Sequence, residues 1–404
     1  GGLKDIFWHP LSALLVAVPL GIIAEFLSWG DSWVFWLNFT ALIPLAKLLG
    51  DATEELANNL HNDTVSGLLN ATFGNAVEVI LSIQSIRIGL LDIVKASLLG
   101  SIISNILLVL GTAFFFGGLT LAPTASGRTH SYGHGQMPSA SGAGSDCRCS
   151  LVGRMEKEQK FGVKSALISM AMLLFSCMSF ALPSIFNAFP TDDSQSVLFV
   201  SRVGAIFIVS AYVAYLMFQL CTHKYTLRKE ELVPETGVED EDEVAKLTTW
   251  CSIAFMALCT VIVAINSELL VGAIKEVVRA QGIPPSFIGV ILLPIAGNAC
   301  EHAGAIRFSM DDRPSLAIGI AVGSSTQVGL LVVPLSVIIA WFVDQPLDLD
   351  YGILDTAVVT MSILVVLVLL MDGRSNWLKG YIMVCMYIFI GLLYWFAPLG
   401  HAID

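Results

Sequence analysis

Stretches of about 20 apolar residues follow one another along most of the chain, separated by short polar breaks. A run of that length matches the thickness of a hydrocarbon core. Within lipid, every backbone N–H and C=O must find its partner inside the segment, and a continuous apolar run meets that demand as a helix. About eleven such spans are read from the sequence. Their limits are 11–29, 33–57, 64–87, 93–118, 162–186, 196–221, 248–270, 284–307, 314–342, 351–371 and 377–398. Only 13% of the residues are charged, against roughly 25% in a soluble chain. The expected class is therefore an all-α integral membrane protein, and soluble globular readings are excluded. The net charge of −12 says nothing about the fold; where the acids cluster says more.

Two segments copy each other. Gly74-Asn75-Ala76-Val77-Glu78 is matched by Gly297-Asn298-Ala299-Cys300-Glu301-His302, with both Asn75/Asn298 and Glu78/Glu301 separated by 223 residues. The same shift carries Gly100-Ser101 onto Gly323-Ser324 and Ser104 onto Gln327. One offset held across two helices and their connecting loop indicates duplication of a whole unit. The domains expected are an extra N-terminal helix (1–32), a first repeat (33–221, with a flexible loop at 120–160), an acidic cytosolic linker (222–247) and a second repeat (248–404). Five spans per repeat is an odd number, so the second repeat enters the membrane inverted relative to the first. That arrangement puts the binding site at the midplane.

Lys and Arg orient the chain. With the N-terminus in the cytosol, most basic loop residues are cytosolic, and only Arg87, Lys95, Lys275 and Arg279 fall on the other side. The C-terminus is then luminal. Residues 120–150 are rich in Ser, Gly, His and Pro, the composition of a flexible connector. Residues 228–246 carry Glu230, Glu231, Glu235, Glu239, Asp240, Glu241, Asp242 and Glu243. Such a run is often just a solvated face, but on the cytosolic side of a cation pathway it also concentrates cations. Most of the eight cysteines lie in apolar runs and read as packing residues. The chain opens Gly1-Gly2 without Met, which leaves open whether a native segment precedes it and gives no basis for judging a signal peptide.

A carboxylate at membrane depth is costly and is by default functional. Residues three apart share a helix face, so Asn75 is expected above Glu78, Asn298 above Glu301, Ser101 beside Ser104 and Ser324 beside Gln327. Folding the halves together surrounds two acids with amide and hydroxyl oxygens. Ca²⁺ takes about six to eight oxygen ligands. Gly74 and Gly297 permit local unwinding that frees backbone carbonyls toward a cavity. Two carboxylates neutralise one divalent ion. When the ion leaves, desolvation and mutual repulsion disfavour a doubly ionised pair, so protons bind instead. Competition of this kind gives antiport. His302 has no counterpart, since position 79 is Val, and marks one side as proton-sensitive. Glu54, Glu55 and Glu268 lie near span ends, where a role in access to the site competes with simple solvation.

These residues resemble the cation/proton exchanger family, in particular the vacuolar calcium/proton antiporters of fungi and plants. The resemblance rests on the paired Gly-Asn-Ala-x-Glu cores, and on the flanking Ala52-Thr53-Glu54-Glu55-Leu56, Leu69-Asn70-Ala71-Thr72-Phe73, Gly100-Ser101 through Asn105, and Gly323-Ser324-Ser325-Thr326-Gln327. It implies an eleven-span fold in which Glu78 and Glu301 bind Ca²⁺ and exchange it for protons. Asn75, Asn298, Ser101, Ser324 and Gln327 would line the pathway, and Gly74 and Gly297 would lend carbonyls; Ser104 and His302 as lining, and Glu55 and Glu268 as access residues, rest on the reading of the residues above. The resemblance also implies that the acidic segment 228–246 is a calcium-binding regulatory helix. The loop 124–152 departs from the family pattern and reads as an insertion or a splicing artefact.

The resemblance implies no cofactor. The ions moved would be Ca²⁺, with Mn²⁺ as the rival, and H⁺. The setting is a lipid bilayer, most naturally a vacuolar membrane, with no nucleic-acid partner, and homo-oligomer formation stays open. A sodium/calcium exchanger of the same architecture and a divalent cation channel are the competing readings. A His-Glu-x-x-His helix or a phosphate-binding Gly-x-x-x-x-Gly-Lys-Ser/Thr loop would point to an enzyme or to ATP-driven transport; the chain has neither.

Overall fold

The computed structural model describes residues 10–60, 66, 69, 72–120, 157–187, 194–223 and 248–396. The acidic segment 228–246 and the loop 124–152 lie outside the described residues. The apolar runs form α1 (Ala17–Phe26, preceded by a 3-10 turn over Pro10–Val16), α2 (Asp31–Asn59), α3 (Ala76–Arg87), α4 (Leu91–Leu119), α5 (Val163–Asn187) and α6 (Ser194–Met217). The second half supplies α7 (Thr249–Gln281), α8 (Pro285–Gly297), α9 (Ala299–Met310), α10 (Pro314–Phe342), α11 (Gly352–Leu370) and α12 (Trp377–Phe396). Among the described residues, eight helices are long and apolar enough to cross a membrane, and the bent pair α8–α9 makes a ninth. The expected eleven also counted α1, which is short, and α3, the second half of a segment (64–87) whose first half is only partly among the described residues.

The offset read from the sequence recurs in the helix boundaries. α3 and α9 begin and end 223 residues apart, and so do α4 and α10. Both α4 and α10 contain a π-helical turn, at Ser104–Val109 and Val328–Val332. Such turns often mark functional positions. Even the left-handed residue two before each long helix repeats, with Gly89 at φ 76° and Asp312 at φ 64°.

Burial separates centre from periphery. In the most apolar window of α4, 83% is buried, against 28% for α6, α7, α11 and α12. Exposed Phe199, Phe207, Trp250, Met361 and Phe389 on those outer helices are the side chains a bilayer accommodates. The core divides into two apolar clusters. One joins α1, α2 and α7 with parts of α3 and α8, and the other joins α4, α5, α6, α10, α11 and α12. Where α4 crosses α8 the backbones nearly touch: a Cβ on Gly100 would lie 2.3 Å from the Val290 carbonyl oxygen. Close approach of this kind depends on small residues.

Helix is not the whole of the secondary structure. Gln159–Lys160 (β1) pairs antiparallel with Arg374–Ser375 (β2), so the stretch expected to be flexible to residue 160 is paired at its end. Buried Gln159 donates to the Ser309 carbonyl and to Asp312 Oδ1, both at 2.7 Å, and accepts from Ser309 and Ser375 hydroxyls at 3.3 Å. This one amide ties the end of α9 to the turn before α12.

Candidate ion-binding site

Both repeated motifs fall where a helix breaks. Asn298 (φ −85°, ψ 18°) separates α8 from α9, which are bent by 59°. Gly74 and Asn75 form the matching turn before α3, with Asn75 at φ −110°, ψ 30°. Gly tolerates unwinding, and Asn competes with helical hydrogen bonding through its own side chain. Glu78 and Glu301 therefore sit in the first turn of α3 and of α9. There the unpaired backbone N–H groups and the helix dipole favour negative charge.

Neither Asn caps its own helix with its side chain; each reaches into the other repeat. Ser324 donates to Asn75 Oδ1 at 2.8 Å, and Ser101 donates to Asn298 Oδ1 at 3.0 Å. The two bonds exchange under the 223-residue shift. The remaining amide protons break that symmetry: Asn75 Nδ2 donates to Gln327 Oε1 at 2.8 Å, whereas Asn298 Nδ2 donates to the Ser101 carbonyl at 3.3 Å. Each Asn flanks the helix that carries its Glu, and its carbonyl accepts the first helical bond, from the Val79 N–H at 3.1 Å and from the His302 N–H at 3.0 Å.

The acids are brought together. Glu301 lies within electrostatic reach of Glu78. Glu78 is 7% exposed, and its Oε1 lies 3.5 Å from the Ser101 hydroxyl and against Gly297, where a Cβ would stand 3.0 Å away. It faces a small cavity lined also by Ser97, Ser101, Pro294 and Gly297. Glu301 Oε2 is buried and accepts no hydrogen bond from the described residues. A buried carboxylate oxygen without a donor calls for a counterpart, and a cation or a proton supplies one.

The other expected residues are placed as follows. Gly74 is exposed at its break. Ser104 is buried in the π-helical turn of α4, beside Tyr387. His302 points to Thr112 on α4, with Nε2 2.9 Å from its hydroxyl. That hydroxyl also lies 2.7 Å from the Leu108 carbonyl and 3.0 Å from the Val109 carbonyl, so it can donate to either while accepting from the imidazole, or donate to the imidazole. Glu55 is half-buried on α2 and Glu268 is exposed on α7.

Two contributors were not singled out from the sequence. Asn105 donates to Ser324 at 3.1 Å and Thr112 holds His302. Asn105 was legible as a polar residue in an apolar run. No local signal marked Thr112.

The family model described as "Sodium/calcium exchanger protein" matches residues 31–221 and 251–396. Vacuolar cation/proton exchanger 3 of Oryza sativa subsp. japonica is 36% identical over 389 residues, covering 95% of this chain and 85% of that protein. Vacuolar cation/proton exchanger 5 of Arabidopsis thaliana is likewise 36% identical, over 95% of this chain and 80% of its own length. Among solved structures, native YfkE superposes with a TM-score of 0.74 at 28% identity, over 95% of this chain and 99% of that one. A structure titled as the H+/Ca2+ exchanger CAX shares the fold at a TM-score of 0.62, 13% identity, and 95% and 91% coverage. The chain belongs to the sodium/calcium exchanger protein family, and within it to the cation/proton exchangers.

Proposed function

We propose that this protein is a secondary antiporter that moves cytosolic Ca²⁺ in exchange for protons from an acidic compartment. The observation that carries the reading is the pair of opposed acids, Glu78 and Glu301, with an undonated buried oxygen on Glu301 and the same Asn–Ser bond on either side. Two carboxylates neutralise a divalent cation, and oxygen-only surroundings suit a hard one. Both acids stand at the ends of broken helices, the usual place for ion sites in transporters of this build. Emptied of metal, the pair accepts protons, so one site serves both ions in turn. Alternating access in transporters of this build comes from one bundle of helices moving against the other around a fixed site.

The names of the relatives support this reading. The YfkE structure is titled a Ca2+/H+ antiporter protein, and the plant relatives are named vacuolar cation/proton exchangers. We place the protein in a vacuolar membrane, with eleven spans, inverted repeats, a cytosolic N-terminus and a luminal C-terminus. The segment 228–246 acts as a cytosolic regulator that binds Ca²⁺ weakly.

The test is Ca²⁺ uptake into vesicles carrying the purified protein under an imposed pH gradient, with an uncoupler in one arm and a sodium gradient in another. Uptake that collapses with the uncoupler and ignores sodium supports the reading. Uptake that follows sodium with the pH gradient dissipated replaces it with sodium/calcium exchange.

A further inference from the structure

α2 carries an ion pair at membrane depth that the exchange site does not use. Lys47 Nζ lies 2.5 Å from Asp51 Oδ2, one turn along the same helix, with the side chains 19% and 23% exposed. Lys47 stands 12 residues before the end of α2 at Asn59, roughly 18 Å along the axis, and both charges fall within the apolar span read from the sequence at 33–57. A charge held there is expensive and normally lines a water-filled route. The pair also sits next to the second motif. Gly50, between the two charges, is packed by the Cys300 thiol, which a Cβ on Gly50 would meet at 2.5 Å. Cys300 directly precedes Glu301, and its thiol lies within electrostatic reach of Glu301, Asp51, Lys47 and Glu54.

We propose that Lys47 is a specificity-determining residue for cations approaching Glu301: its ammonium ties up the Asp51 carboxylate and lowers the attraction of this approach for divalent ions. The inference rests on the divalent cation/proton exchange proposed above. Paired, Lys47 and Asp51 contribute no net charge beside Cys300, the residue preceding Glu301. A divalent ion feels any change in that field twice as strongly as a monovalent one. Removing the ammonium frees a carboxylate that draws Ca²⁺ in, and removing the carboxylate leaves an ammonium that repels it.

This charge logic separates the proposal from a purely structural role. The experiment measures initial rates of pH-driven Ca²⁺ uptake over a calcium series, at low and high ionic strength. It compares wild type, Lys47→Gln, Asp51→Asn, the double variant, and the exchanged pair Lys47→Asp with Asp51→Lys. The expected result is a KM for Ca²⁺ lowered about threefold or more in Lys47→Gln and raised about threefold or more in Asp51→Asn. Double and exchanged variants should return near wild type, kcat should change little, and both single effects should persist at high salt, which screens half-buried charges weakly. Thermal unfolding of each variant reads any loss of helix stability separately. Single variants that shift KM in the same direction, or not at all, overturn the proposal and make the pair a helix staple. A wild type with no pH-driven Ca²⁺ uptake overturns the exchange reading itself, an outcome visible before any variant is compared.

Discussion

Asn75 and Ser324 meet across the two halves of the molecule at 2.8 Å, and their counterparts Asn298 and Ser101 repeat the bond at 3.0 Å. Each repeat therefore supplies one acid and completes the surroundings of the other's. The site exists only when the halves are assembled, which ties ion binding to how they sit together.

Glu78→Gln and Glu301→Gln are each expected to abolish proton-driven Ca²⁺ uptake, because one remaining carboxylate half-neutralises a divalent ion in a desolvated site. Size-exclusion profiles in detergent should match wild type. Near-normal uptake by either variant would remove that acid from the centre.

The crossed Asn–Ser bonds should act together. Ser324→Ala and Asn75→Ala each leave a buried partner unsatisfied, at a cost of about 1–3 kcal/mol. The double variant should lose less than the sum of the singles, read as stability in a thermal unfolding cycle. Additive losses would show that the 2.8 Å bond is not what joins the two residues.

Two glycines should fail differently. Gly297→Ala puts a methyl 3.0 Å from Glu78 Oε1, a flexible side-chain end, so the expected loss is in Ca²⁺ KM with the fold kept. Gly100→Ala puts it 2.3 Å from the Val290 carbonyl, a fixed backbone atom, so helix separation should cost about 1–3 kcal/mol. Unfolding temperature and uptake measured on both variants distinguish the two cases.

Thr112→Val removes the hydrogen-bond partner of His302 Nε2 and is expected to shift the pH profile of uptake, with a stability loss of about 1–3 kcal/mol. Thr112→Ser should restore both. An unchanged pH profile in Thr112→Val would confine His302 to packing.

Much of this architecture was legible because a bilayer leaves few options. Apolar runs had to be helices, and Glu78 and Glu301 stood out because an acid inside such a run is costly. Gly74 and Gly297 announced the breaks, though the 59° bend between α8 and α9 depends on what packs around it. Helical spacing carries no sign that the Asn75 and Asn298 side chains also reach Ser324 and Ser101 of the other repeat. The partnership of Thr112 with His302, 190 positions away, and the two-residue β1–β2 pairing carry no local signature. They arise only once distant helices are in place.

The β1–β2 pairing has a mechanical consequence. It joins Gln159 to Ser375 across 216 positions, and the Gln159 amide extends the join to Ser309 at the end of α9. The chain is thereby drawn shut like a purse-string at the mouth of the helices bearing most of the larger apolar cluster. A helix can rock there only by carrying its neighbours with it. α2 and α7 are held instead by side-chain bonds, from Trp36 to Gln281 and from Asn59 to Ser252, both at 3.3 Å, which a sliding helix can exchange one at a time.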